Sequence, residues 1–203
     1  VSITDAIGWI AALSSACVAV PQGLRIVATR SVAGISAMIW QMTVLGALAW
    51  MVHGLIAGRP QIIWPNALLT ITSAWVLAMV CRAEGGSLGR AFGLPVLGAG
   101  IAVGTELAFG PIAFGLVIFI PSAIGLVSQL VTIQKAADTT GVSLAGLVMA
   151  LACQLLWLTY AIPAGEIAVI FAATPTTLLL IANVVALQTR RAQAAARQPV
   201  STG

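Results

Sequence analysis

Charge is what this chain has least of. Nine Lys and Arg, five Asp and Glu and one His are spread over 203 residues, which makes 7% of the sequence charged. A soluble domain carries about 25%. With 60% of the residues hydrophobic, there is too little polar material to cover a water-facing surface. Lipid must therefore be the main solvent, and the lipid bilayer is the first partner the sequence implies. A soluble enzyme or nucleic-acid binder is excluded on the same ground. The net charge of +4 signals no nucleic acid, because the basic residues are scattered as loop markers.

Other scarcities narrow the chemistry. A single histidine, no HExxH run and no pair of helix-interior acids argue against an intramembrane enzyme, and no metal or cofactor is expected. Cys17, Cys81 and Cys153 each lie in or beside an apolar run without CxxC spacing, so they read as small packing residues.

Long apolar runs, by contrast, are abundant. A membrane helix needs about 20 apolar residues. Charged residues and turn formers divide the chain into seven such runs, at 6–24, 33–56, 62–81, 91–109, 111–133, 141–163 and 166–188. The tightest junction is Gly110-Pro111. The first run lacks a basic leader and belongs to a repeat, so it is expected to be retained. Arg25, Arg30, Arg82, Arg90, Lys135, Arg190, Arg191 and Arg197 fall on one side of this arrangement, and only Arg59 on the other. The positive-inside bias then places the N-terminus outside and the C-terminus in the cytoplasm. The Ala-, Gln- and Arg-rich tail, 189–203, reads as a frayed helix end near anionic headgroups.

The chain also matches itself at a shift of 107 residues. Gly8 meets Gly115, Gln22 meets Gln129, Gly34 meets Gly141, Ser36 meets Ser143, Trp50 meets Trp157 and Ala57-Gly58 meets Ala164-Gly165. Residues 8–59 give thirteen identities, against on the order of five for such biased composition, and the shift superimposes helix on helix. The expected architecture is an all-α membrane protein of 3+1+3 form: a three-helix repeat at 6–81, a linker helix at 91–109 and a second repeat at 111–188. The odd linker crossing keeps the two units parallel, so a polar pathway is expected between them.

Within the first unit, Pro21-Gln22 is followed by Arg25, Arg30 and Gly34-Ile35-Ser36, then Trp50, His53-Gly54 and Asn66. This pattern resembles the PQ-loop families, most closely the SWEET and SemiSWEET sugar transporters. Their unit reads PQ, a Trp followed by Tyr-Gly, and an Asn early in the third helix. The second unit departs from it. Ser128-Gln129 stands where PQ is expected, Tyr160 is followed by Ala161, and Ala173 occupies the Asn position, with Thr174 and Thr176 the nearest polar substitutes. Parallel repeats about an axis along the membrane normal are the geometry the resemblance implies.

The resemblance further implies an alternating-access transporter of a small neutral solute, a mono- or disaccharide first, in the inner membrane of a bacterium. Oligomeric state, including a homo-oligomer, is left open. Trp50, His53, Asn66, Trp157, Tyr160 and Thr174 become the expected substrate residues. Trp50 and His53 share a helix face, an indole suits the C–H face of a sugar, and an intramembrane Asn must face protein or water. Pro21, Gln22 and Gln129 are expected to form a hinge and a cytoplasmic gate. Arg59 and Glu166 occupy equivalent positions just past each Ala-Gly, where opposite charges can meet at an outer gate. Glu106 reads as a snorkelling residue near a helix end, and Asp138 as a solvated loop acid. Two alternatives stay open: a PQ-loop transporter of amino acids or another metabolite, proton-coupled through Asp138, and a non-transporting receptor or assembly factor.

Overall fold

A computed structural model of the chain describes residues 2–16, 19–32, 35–135, 139 and 142–197. Cys17, Gly34, Asp138 and Gly141, all named above, lie outside the described residues. Among those described, the secondary structure is eight helices: α1 (Ile3–Ala16), α2 (Val20–Thr29), α3 (Ala37–Ala57), α4 (Pro60–Ala83), α5 (Leu88–Phe109), α6 (Pro111–Lys135), α7 (Leu144–Ala164) and α8 (Ile167–Arg197). Together α1 and α2 make one span, Ile3–Thr29, so seven segments are long and apolar enough to cross a membrane. The chain is an integral, multi-pass, all-α membrane protein. Its outward surface carries large apolar side chains such as Leu97, Ile101, Phe109, Ile124, Met149 and Ile162, as lipid requires.

Two boundaries differ from the sequence expectation. The first span reaches Thr29, with residues 17 and 18 between α1 and α2 outside the described residues. Pro21 sits in the first turn of α2, where its missing N–H costs nothing. At the other end α8 continues to Arg197, because Ala, Gln and Arg are strong helix formers. Pro111 opens α6 directly after Gly110, whose φ of 87° ends α5.

The packing order is simple. α4 lies between α1 and α3, and α8 lies between α6 and α7. The two groups meet where α1 packs on α7 and α3 touches α6, while α5 lies against α3, α4 and α6. Small residues bring the helices close. One apolar cluster, Ala49, Ala99, Ala102, Phe114, Ile118, Ala168 and Ala172, joins α3, α5, α6 and α8. A second, Ile62, Tyr160, Ala161, Val169 and Ala173, joins α4, α7 and α8. At Gly115 a Cβ would stand 2.5 Å from the Ala168 carbonyl oxygen, so only glycine lets α6 approach α8 this closely.

Helices α3 and α7 end in the same device. Gly58 (φ 66°) and Gly165 (φ 70°) take the left-handed conformation. Arg59 N–H then bonds Gly54 O at 2.9 Å, and Glu166 N–H bonds Ala161 O at 2.9 Å. These are matching Schellman caps. Each delivers the next residue, Arg59 or Glu166, to the same end of the bundle.

Candidate functional site: a polar cavity beneath a buried charge cluster

A cavity of about 150 Å³ opens among the helices. Its polar lining comes from Ser15 on α1, Asn66 on α4, Ser122 on α6, Gln154 and Trp157 on α7, and Thr176 on α8, with Trp50 of α3 beside them. The remaining lining is apolar, and no charged side chain contributes among the described residues. Trp157 donates its indole N–H to Ser15 Oγ at 3.2 Å. Asn66 donates its side-chain amide to Ile62 O one turn back at 2.8 Å, which leaves its amide oxygen as an acceptor. Thr176 returns its hydroxyl to Ala172 O at 2.7 Å.

The expected substrate residues divide into three groups. Trp50, Asn66 and Trp157 line the cavity. His53 and Tyr160 do not; both are buried above it, and Tyr160 packs edge-on against Trp157 at 5.9 Å between centroids. Thr174 is exposed, while Thr176 two residues on lines the cavity. A helix turns about 100° per residue, so a shift of two carries a side chain to the opposite face. Ser15, Ser122, Gln154 and Thr176 were not assigned to the site from sequence. Ser15 and Ser122 carried a usable signal: they are identical and 107 residues apart. Gln22 and Gln129 are half-buried on α2 and α6, and neither lines the cavity.

Beyond Trp50, toward the end of the bundle that carries Asp5, lies a cluster of charge. His53 Nδ1 stands 2.7 Å from Glu106 Oε1, and His53 Nε2 stands 3.7 Å from Glu166 Oε2. The Arg59 guanidinium donates from Nε to the Glu166 carboxylate and from Nη2 to Ala164 O at 2.7 Å. His53, Glu106 and Glu166 are each at most 7% exposed. The imidazole is stacked on Phe114 at 4.9 Å, and Trp50 meets both rings edge-on. Glu106 does not snorkel, as its position near a helix end had implied: it turns inward to His53. Burial pushes the Glu166 carboxyl up, but His53 and Arg59 outweigh it and hold it below the usual carboxylate range.

Residues 85–89 read G-x-S-x-G, a run that makes a nucleophile elbow on a strand-to-helix turn. Here Ser87 is an exposed residue between two helices, α4 and α5. The histidine lies near the opposite end of α5, across from Glu106. The motif is coincidental.

No family profile matches the chain. No solved structure matches it either. A sugar transporter SemiSWEET from Bradyrhizobium diazoefficiens is 32% identical over 76 residues, which cover 37% of this chain and 88% of that protein. The chain belongs to the SemiSWEET/SWEET superfamily of transporters. The alignment takes in nearly all of the SemiSWEET yet little more than a third of this chain, so the present member is more than twice as long as its relative. Its general role is membrane transport.

Proposed function

We propose that this SemiSWEET/SWEET member is a facilitative transporter of a small neutral solute, a mono- or disaccharide first. Two parallel three-helix units, α1–α4 and α6–α8, rock about the cavity, with α5 as the linker that restores parallel orientation. One observation carries the reading. Four pairs of cavity-lining residues are separated by the repeat interval of 107: Ser15 and Ser122, Trp50 and Trp157, Ile62 and Val169, Asn66 and Ala173. A binding site built from equivalent positions of two units is what alternating access about a pseudo-twofold axis needs.

The chemistry of the lining supports a neutral, hydroxyl-rich solute. Indoles offer apolar faces, while Asn66, Gln154, Ser15 and Ser122 offer donors and acceptors. An amino acid zwitterion would bring two charges to a wall that has none, at a large desolvation cost. The relative named as a sugar transporter points the same way. Basic residues at the cytoplasmic loops put the N-terminus outside. Arg59 and Glu166 then form the outer gate, and Pro21, Gln22 and Gln129 form the inner hinge and gate.

The test is uptake of radiolabelled sugars and amino acids by proteoliposomes, with and without a pH gradient. Saturable sugar flux that needs no gradient is expected. Saturable amino acid flux without sugar flux, or no flux of any solute in folded protein, overturns the reading.

A further inference from the structure

The transport reading uses the cavity and the Arg59–Glu166 pair, and leaves His53 and Glu106 unexplained. Their burial is costly. A charged group in a low-dielectric interior has to be compensated. Glu106 and Glu166 carry two negative charges and Arg59 one positive charge. With a neutral imidazole the closed cluster is left one charge short. One proton, on His53, makes it neutral and gives both ring nitrogens a carboxylate to face, at 2.7 and 3.7 Å.

We propose that His53, held between Glu106 of the linker helix and Glu166 of the second unit, is a proton-binding site that locks the outer mouth closed. It rests on the transporter reading. When the mouth opens, Glu166 leaves with the second unit. His53 then faces Glu106 and Arg59 alone, and those two already cancel. The closed state therefore holds one proton more than the open state. Proton linkage makes acid favour closure and alkali favour opening. Every packed element is consistent with this count among the described residues. α5 presents Glu106 and the α7–α8 turn presents Glu166, while α6 presents only the Phe114 ring. α7 presents the buried, unpartnered Tyr160 hydroxyl. α4 presents Gln61, which is tied at 3.0 Å to Asp5 of α1. Asp5 is itself bonded to Ser2, at 2.8 Å through the hydroxyl.

The ligand is a proton because nothing larger fits the set. Two carboxylates and an imidazole packed against Phe114 and Trp50 leave no space for solute, and the described residues hold no group of His, Cys, Asp and Glu suited to a metal ion. The repeat equivalent of His53 is Tyr160, and Glu106 lies on the linker helix, so the site exists once per chain.

The test needs no solute. Ala173, which lines the cavity, is changed to cysteine in a background where Cys17, Cys81 and Cys153 are serine. A membrane-impermeant maleimide is added from the face that carries the N-terminus, in oriented vesicles, between about pH 6 and 9. After correction for thiolate fraction with an exposed reference cysteine, labelling is expected to rise with pH, by up to tenfold per unit for one linked proton. His53→Gln should flatten the profile. Glu106→Gln, which retains a hydrogen bond to the ring but not the charge, should displace it toward lower pH. A flat wild-type profile, or one unchanged in both variants, overturns the lock. Loss of the lock with sugar flux intact leaves the transporter reading standing. An intact profile with no flux of any sugar sinks the transporter reading and leaves the proton site.

Discussion

Trp157 of the second unit donates its indole N–H to Ser15 of the first, 3.2 Å away across the cavity wall. The bond joins α7 to α1, two helices that pack against each other between the two groups, so under the proposed mechanism a solute held there would touch both units. Ser15→Ala removes the acceptor of the Trp157 indole, a neutral hydrogen bond worth about 0.5–1.5 kcal/mol, along with the hydroxyl's local contacts to Ala11 O and Cys153 Sγ. Solute affinity should fall by roughly threefold to tenfold, with the protein still folded. Trp157→Ala removes the indole face as well and should abolish binding. Titration calorimetry with the transported sugar checks both, and normal affinity in Trp157→Ala removes the cavity from the pathway.

Asn66 gives a sharper comparison with its repeat equivalent. Its amide donates one N–H to Ile62 O at 2.8 Å, which leaves the amide oxygen and the second N–H for solute. Asn66→Ala should abolish sugar binding. Ala173→Asn places a second amide at the matching point and should raise affinity or change the preferred sugar. Binding unaltered by both substitutions means that neither position meets the solute.

The spans were legible in the sequence because charge is so scarce that each loop announces itself. Cavity residues were legible only where two signals coincided. Trp50 and Trp157 had both repeat spacing and family pattern, and Asn66 had the spacing of the family pattern to Trp50. Ser15 and Ser122 had the repeat alone, and serine is too common in membrane helices to stand out. Thr174 was misplaced because Pro175 and two further threonines crowd one turn, and only the helix phase separates them. Glu106 was hidden for a different reason. The fifth helix is apolar on every side, so no polar stripe told which way its one acid points. That direction depends on His53, 53 residues away in the chain.

Gly115 tests the packing of the second unit apart from any solute. A Cβ there would sit 2.5 Å from Ala168 O and 3.2 Å from Phe171 Cβ. The first is backbone and cannot swing aside. Gly115→Ala should cost about 1–3 kcal/mol, as overpacking usually does, and Gly115→Val more. Thermal unfolding in detergent measures the loss. A melting temperature equal to wild type in Gly115→Val would mean that α6 and α8 do not meet at this spacing.

Strong acid, well below the range in which the His53 lock is tested, should weaken the closed mouth through Glu166. Its carboxyl is held below the usual value of 4.5. A carboxyl with a depressed folded value contributes its full stabilisation above the ordinary value, and loses it as pH falls through the folded one. Melting temperature should therefore drop below about pH 4.5, and Glu166→Gln should lack that part of the drop. If the acid limb is the same in both proteins, Glu166 is not held by Arg59 and His53.

Arg59 and Glu166 can be separated from a general polar effect by a double-mutant cycle. Arg59 is 37% exposed at its side chain and Glu166 only 7%, so the two losses are unequal. Arg59→Gln leaves a buried carboxylate without its guanidinium and strips a donor from Ala164 O. Glu166→Gln leaves a guanidinium that water can reach. The first single variant should be the more destabilised. Adding Glu166→Gln to Arg59→Gln should recover part of the loss, because no buried charge is then left alone. Coupling between groups in direct contact runs about 0.5–3 kcal/mol. The same order should appear in access to a cysteine at Ala173 from the N-terminal face, with Arg59→Gln the most open and the double variant less so. Simple additivity in both readouts would mean that the two charges sit near the mouth without closing it.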